Sequence, residues 1–380
     1  MVMMKALAVA FSMATAAEAL NAPKSSLNTA WSYPTTTAVE EMTTTEMPFH
    51  QQLQQHPWVK AVKETARGGG VAKSFDVALL AYFFFWYLGN YYYNITNKLA
   101  LKNSGGSKGF PMTIASLQLL VGVVYALFAW VAPDMRAPPT ITASDVASML
   151  PVAFCSMMAH CASVFALSAG AVSFGQIVKA AEPAFAAVLS TFVYGRPISK
   201  AKWFCLIPVI GGVVIASVKE LDFAVSALVA ASSANLFAAI KGNENKKLMD
   251  TPGLKDRLGS VGNQFAVTSI LSFLMSLPML IATEGGKWSD FVATLKSTPA
   301  VMNNLLLSGA YFYAYNELAT MTIKKTNAIT QSVANTAKRA IIIIGVGIVL
   351  QEDLPLPKIV GSLICIAGVF LYSTIDSLLA

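Results

Sequence analysis

The sequence predicts an all-α integral membrane protein, with ten transmembrane helices arranged as two inverted five-helix repeats. Three observations carry that expectation. Hydrophobic residues make up 55% of the 380 and charged residues only 12%, about half the charged fraction of a soluble domain. From about Asp76 onward, apolar runs recur at the roughly 20 residues a spanning helix needs, with short connections between them. A segment in the first half also resembles one about 155 residues further on.

Residues 1–72 stand apart from the rest. Met1–Ala19 hold one lysine, a short apolar stretch (Ala6–Phe11) and small residues, similar to a secretory-type signal. A Ser/Thr-rich stretch follows, including Thr35–Thr37 and Thr43–Thr45. Together they resemble the two-part leader of proteins sent to plastids bounded by extra membranes. Glu18, Glu40, Glu41 and Glu46 are unusual for such a leader, and a tail without an address competes with that reading.

The first repeat, residues 73–220, is expected to start its spans near Asp76, Phe110, Ala143, Ala171 and Lys200. The second, residues 221–380, starts them near Phe223, Gly259, Pro299, Thr326 and Pro357. Turn-forming residues separate them: Gly105-Gly106, Pro133, Gly170, Gly195-Arg196-Pro197, Pro252-Gly253, Gly285-Gly286 and Glu352–Pro355. A polar link, Asn243–Arg257, is expected between the sixth and seventh spans. The internal likeness sets Ala171–Ile215 beside Thr326–Leu371, with Gln176 on Gln331 and Val178 on Val333. After one residue of slippage, Ile210, Gly212 and Val213 fall on Ile366, Gly368 and Val369. Five crossings are an odd number, so the second copy enters from the opposite face. Repeats of that kind place a binding site near the midplane and let the two halves exchange its exposure.

The net charge of +7 follows no basic stripe interleaved with exposed aromatics, so nucleic acid is not the partner. It fits membrane topology instead. Lys60, Lys63, Arg67, Lys73, Arg196, Lys200, Lys202, Lys246, Lys247, Lys255, Arg257, Lys324 and Lys325 all fall on the side of the termini, and the opposite loops hold roughly half as many. The terminal side is therefore expected to be the cytosol-equivalent face, the stroma for a plastid membrane. Cys155, Cys161, Cys205 and Cys365 lie in apolar segments without CxxC or metal-ligand spacing, and read as small buried hydrophobes. No metal site and no cofactor is expected.

Lys179, Lys338 and Arg339 sit inside apolar runs long enough to span a bilayer. A central Lys or Arg costs roughly 2.5–3.5 kcal/mol on insertion scales and usually marks a substrate or ion pathway. The competing reading is pairing with internal acids. Glu182, three residues after Lys179, is placed to neutralise one cation, and Glu317 is the nearest acid to the ninth span. About two positive charges stay unmatched, the size of a phosphate at roughly −1.5 to −2. Arg suits phosphate through its planar fork and Lys through a compact charge. His160 is the only histidine of the membrane region, and by itself reads as a satisfied core residue; Ser163 shares its helix face. Tyr315 belongs to a cluster with Tyr311 and Tyr313 that reads as packing or an interface belt. No Ser/His/Asp set and no Gly-rich nucleotide loop is present. Asn94-Ile95-Thr96 has glycosylation form but lies in an expected span.

Four runs carry a resemblance: Trp86–Lys98, Phe174–Phe185, Glu244–Met249 and, most specifically, Tyr315–Ala340 (YNELATMTIKKTNAITQSVANTAKRA). Over about Trp86–Leu378 the chain resembles the plastid phosphate translocators of the drug/metabolite transporter superfamily, and YNELA is most similar to their triose-phosphate branch. The resemblance implies that Lys179, Lys338, Arg339, Tyr315 and Ser163 hold a phosphate. It implies that His160 recognises the remainder of a three-carbon substrate. Ser163 stands where the family usually has Thr, and Lys241, in the sixth span, where it usually has Arg; both departures bear on substrate preference. The expected function is an antiporter exchanging inorganic phosphate for triose phosphate or 3-phosphoglycerate in a plastid envelope, with an outer membrane of a multi-membrane plastid left open. Within transporters, a phosphoenolpyruvate or nucleotide-sugar carrier competes. From another class, so does a membrane-embedded enzyme acting on a phosphorylated lipid, with His160 and Glu182 as its available base. The partners expected are phosphorylated small molecules and the bilayer; no oligomeric state is read.

Overall fold

The structure is a computed structural model that describes residues 77–132, 136–218, 221–326 and 328–379. The expected leader at 1–72, the Pro133 turn and the basic residues from Lys60 to Lys73 lie outside the described residues. Among those described, every regular element is helical.

α1 (Val77–Asn103) ends in a turn through Gly105 and the 3-10 turn Gly106–Lys108. α2 (Pro111–Val131) begins on a proline, whose missing N–H is harmless in the first turn. α3 (Ala143–Ala169) opens on a capping box in which Thr142 and Asp145 satisfy each other's backbone N–H. The fourth expected span is broken: α4 (Val172–Ala180) stops at Ala181, α5 (Glu182–Val188) restarts with Pro183 in its first turn, and a π turn follows at Leu189–Val193. α6 (Lys200–Ser217) is capped by the Ser199 hydroxyl.

α7 (Leu221–Met249) runs through much of the stretch expected to be a polar link, so the connection shortens to Asp250–Ser260. At its polar end, several groups find partners on or near the helix. Asn243 donates to the Ala239 carbonyl, and Glu244 accepts from Tyr194 and Lys247. α8 (Leu254–Leu258), α9 (Val261–Glu284), a 3-10 turn at Gly285–Lys287, α10 (Trp288–Ser297), α11 (Pro299–Lys325), α12 (Ala328–Leu350) and α13 (Leu356–Leu379) complete the chain. α10 was not expected; it folds a connection read as a simple turn.

Among the described residues eight helical stretches are long and apolar enough to cross a membrane. α1 and α11, 27 residues each, fall short because tyrosines and asparagines lower their hydropathy. Several polar groups of these two helices are buried, among them Asn94, Asn97, Ser308 and Glu317. Large apolar side chains such as Phe192, Phe204 and Leu356 are more than 70% exposed, the inverse of a water-soluble core and suited to lipid.

α1 packs most extensively on α11, α3 on α7, and α6 on α13, while α2 faces α9 and α4 faces α12. The α6–α13 crossing is made by glycines. A Cβ on Gly212 would lie 2.5 Å from the Cys365 nitrogen, and one on Gly361 would lie 2.5 Å from the Gly212 oxygen. Small residues permit this backbone approach in a membrane, where packing rather than water drives association. Gly212→Leu is expected to lower thermal stability in detergent by at least ~1–3 kcal/mol, the cost of overpacking; an unchanged melting temperature would contradict this crossing.

Candidate functional site

Helix midpoints converge on one cavity of about 250 Å³. Asn90 of α1, Ser156 of α3, Asn235 of α7, Phe312 of α11 and Arg339 of α12 all line it, and each stands at the middle of its helix. The site is therefore at mid-depth, where a cation is most costly.

The break at Ala181 brings the fourth span's polar groups there. Pro183 has no N–H to offer the Lys179 carbonyl four residues earlier, so the α-helical ladder cannot continue. The Ala181 N–H turns back to Val178 O at 3.0 Å, and Asn235 Nδ2 donates to that same oxygen at 2.8 Å. Irregular backbone at membrane depth is tolerated where such partners exist. Lys179 and Glu182 flank the break and both line the cavity.

Across from them α12 presents Lys338 and Arg339. Arg339 Nη2 contacts Glu182 Oε2 at 2.8 Å. Glu182 thus neutralises one cation, as expected, and that cation is Arg339 of the opposite helix rather than Lys179, its neighbour in sequence. The helix is interrupted at Ala181, between the two residues, so the i,i+3 spacing of an unbroken helix does not hold there. Lys338 Nζ lies 4.9 Å from the ring centre of the buried Trp86, which contributes about 0.5–2 kcal/mol without neutralising the charge. Lys241 also lines the cavity, its Nζ 3.4 Å from Ser156 Oγ. Glu317, the other acid considered, points elsewhere and pairs with Arg136 at 2.6 Å.

Among the described residues, four cations and one carboxylate therefore face this space, a formal excess of three positive charges. His160 Nε2 lies 3.2 Å from the Ala115 carbonyl, which can only accept, so the proton sits on Nε2. Nδ1 is then a buried lone pair with no donor among the described residues. Ser163 lines the cavity with its hydroxyl proton given to Ala159 O at 2.6 Å, leaving its oxygen as an acceptor. Tyr315 reaches the cavity between Tyr93 and Phe312, with ring centres at 5.4 and 5.9 Å. Its neighbours separate from it: Tyr311 stacks on Tyr92, and Tyr313 packs against Tyr125 and Phe265.

All six residues expected to hold substrate, with Lys241 and Glu182, come together here. Sequence reasoning missed the amides. Gln176 Nε2 donates to Asn94 Oδ1 at 2.9 Å, tying α4 to α1, and Asn90, Asn316 and Asn335 also line the cavity. Their signal was available as uncharged polar residues within apolar spans. Asn94 is 1% exposed, which agrees with discounting it as a glycosylation site.

Ties close the structure on either side of the cavity. On the side of the Gly106–Lys108 turn, Glu352 accepts from Val172 N and Ser173 N at 2.6 and 2.9 Å, capping α4. Glu284 caps α2 through Met112 N, Thr113 N and Thr113 Oγ1. Lys98 Nζ donates to the Leu167 and Gly170 carbonyls at the end of α3. Carboxylates at helix starts and a cation at a helix end both complement the helix dipole. On the other side Arg257 grips Asp145 through Nε and Nη2, and Trp130 Nε1 donates to Asn263 Oδ1 at 2.9 Å.

Residues 77–373 match the model of the Triose-phosphate Transporter family. Among characterised relatives, the chain is 34% identical over 292 residues to phosphoenolpyruvate/phosphate translocator 3, chloroplastic, of Oryza sativa subsp. japonica, covering 76% of this chain and 72% of that one. It is 32% identical over 319 residues to the chloroplastic triose phosphate/phosphate translocator of Zea mays, covering 82% and 75%. The corresponding Solanum tuberosum protein is 34% identical over 303 residues, covering 78% and 70%.

Proposed function

The chain belongs to the triose-phosphate transporter family, and on that premise we propose that it exchanges inorganic phosphate for phosphorylated three-carbon compounds across a plastid envelope membrane. It is a transporter and not an enzyme. The observation that carries the substrate reading is the charge imbalance at mid-depth. Among the described residues, Lys179, Lys338, Lys241 and Arg339 face one carboxylate, and a phosphate supplies about −1.5 to −2. The remaining positive charge suits a carboxylate, as in 3-phosphoglycerate. The His160 Nδ1 lone pair needs a donor, which a hydroxyl provides; triose phosphate and 3-phosphoglycerate carry one, and phosphoenolpyruvate does not. A volume of about 250 Å³ lies below the ~300–1,000 Å³ usual for drug-sized ligands and favours three-carbon phosphates over nucleotide sugars. Relatives that carry phosphoenolpyruvate stand as close in identity as those that carry triose phosphate, so phosphoenolpyruvate is the second reading.

Ten spans in two inverted repeats, residues 73–220 and 221–380, are part of the proposal. The helix pairings support it. Exchanging each span of one half for its counterpart in the other turns the α1–α11 pairing into α7–α3, and leaves α2–α9, α4–α12 and α6–α13 unchanged. The likeness of residues 1–72 to a two-part leader supports a plastid with extra membranes as the destination, and fractionation assigns the membrane. Closing an empty cavity would bury repelling cations at several kcal/mol per unpaired ion, so only the loaded carrier changes face.

Counter-exchange in proteoliposomes tests this. Labelled phosphate is expected to enter only against internal phosphate, triose phosphate or 3-phosphoglycerate, with phosphoenolpyruvate weaker and UDP-sugars inert. Rapid phosphate uptake into vesicles with no internal substrate would refute obligatory exchange. Preference for phosphoenolpyruvate would refute the role given to His160.

A further inference from the structure

A second cavity, of about 490 Å³, lies away from the transport site, on the side of the Gly106–Lys108 turn. Its walls come from the start of α2, the outer face of α3, α7 and the end of α9. Three methionines, Met112, Met158 and Met279, line it with Phe165 and Phe237. Methionines are flexible, polarisable fillers that adapt to an irregular apolar guest. At the mouth stand two exposed lysines, each the last residue of a 3-10 turn: Lys108 of Gly106–Lys108 and Lys287 of Gly285–Lys287. Glu284, the acid at this mouth, is already occupied by the α2 backbone and Thr113. Trp288, 48% exposed, follows Lys287 directly, and tryptophan favours the level of lipid headgroups.

An apolar, adaptable interior below a pair of cations at the membrane surface is complementary to one class of molecule. We propose that this cavity is a binding site for an anionic phospholipid, with an acyl chain against the methionines and the headgroup phosphate between Lys108 and Lys287. Basic pockets between spanning helices hold anionic headgroups in this manner. The site is coupled to the central cavity through α3. Met158, Cys161 and Phe165 face the lipid cavity, while Ser156, His160 and Ser163 face the transport site. A bound lipid therefore braces the helix that presents His160. The proposal is independent of which phosphate compound is carried.

The test uses the full chain in a neutral detergent, titrated with phosphatidylglycerol or with phosphatidylcholine of the same acyl chains, and followed by thermal unfolding and native mass spectrometry. Each lysine near an anionic surface is worth about fivefold in affinity. Phosphatidylglycerol is expected to bind ~30-fold more tightly than phosphatidylcholine, and to raise the melting temperature at lower concentration. K108Q/K287Q should erase that preference while leaving phosphate exchange in phosphatidylcholine vesicles at the wild-type rate. Ala162→Phe, which narrows the cavity, should weaken both lipids. Equal binding of the two lipids, or a preference that survives in K108Q/K287Q, overturns the proposal. So does competition by glycerophosphoglycerol, which would mean a site for a soluble anion. Slower exchange by K108Q/K287Q in phosphatidylcholine vesicles would instead assign the lysines to substrate capture and equally overturn it.

Discussion

Lys338→Ala is expected to abolish phosphate exchange while leaving the folded protein as stable as before, or more so. Lys338 stands in the middle of α12 with its ammonium over the Trp86 ring, and it shares its cavity with Lys179, Lys241 and Arg339. Removing it from the empty protein relieves repulsion and deletes a desolvated charge. In the loaded protein the same change removes one of the groups proposed to hold the phosphate. Truncating one partner of a buried charge pair costs roughly 2–5 kcal/mol, an affinity loss of about 30- to several-thousand-fold. Lys179→Ala should behave likewise. Uptake of labelled phosphate into proteoliposomes, measured beside thermal unfolding, separates the two effects. Wild-type exchange in either variant would remove these lysines from the site, and a parallel loss of stability would make them structural.

The opposite pattern is expected of the ion pair formed by Arg136 and Glu317. These side chains, 4% and 2% exposed, meet at 2.6 Å and join the connection before α3 to the terminal end of α11. Gly262 makes room for them: a Cβ there would lie 2.8 Å from both Arg136 Cζ and Glu317 Oε1. Breaking a buried ion pair by removing one partner costs about 3–5 kcal/mol. Glu317→Ala and Arg136→Ala should each lower the unfolding transition by that amount. The double change to Met should recover much of it, since an apolar replacement of both groups is often neutral. Neither residue lines the transport cavity, so phosphate affinity in the surviving folded fraction should be unchanged. A loss below about 1 kcal/mol, the scale of an exposed pair, would mean that water reaches these groups.

Both predictions concern buried charge, yet sequence alone exposed only one of them. Lys179, Lys338 and Arg339 interrupt apolar runs, a contrast visible without coordinates. Arg136 lies in a short polar connection and Glu317 near a helix end, where charges are ordinary. Helix starts were legible for a similar reason. Where the preceding residues are also described, each expected start lies within two residues of an observed one, because Pro111, Thr142, Ser199, Ser260 and Pro299 act locally on the first turn. The fourth span misled, since its hydropathy is continuous and Pro183 is compatible with either a kinked helix or a broken one. The polar end of α7 misled in the other direction. Asn243–Met249 resembles a loop by composition, yet it is helical, with partners in Tyr194 and its own helix's carbonyls.

Composition and periodicity settled the helical membrane class, the helix starts and the presence of unmatched cations, because each depends on short-range chemistry and on the single requirement of a hydrocarbon solvent. Which acid answers which cation was decided only in three dimensions. Lys179 and Glu182 are three residues apart, but the helix breaks at Ala181 between them, and Glu182 pairs with Arg339, 157 positions away. The lone pair of His160 was settled in the same way, by the carbonyl of Ala115 on another helix. Direction and partnership of polar groups depend on which helices meet, and no local signal carries that.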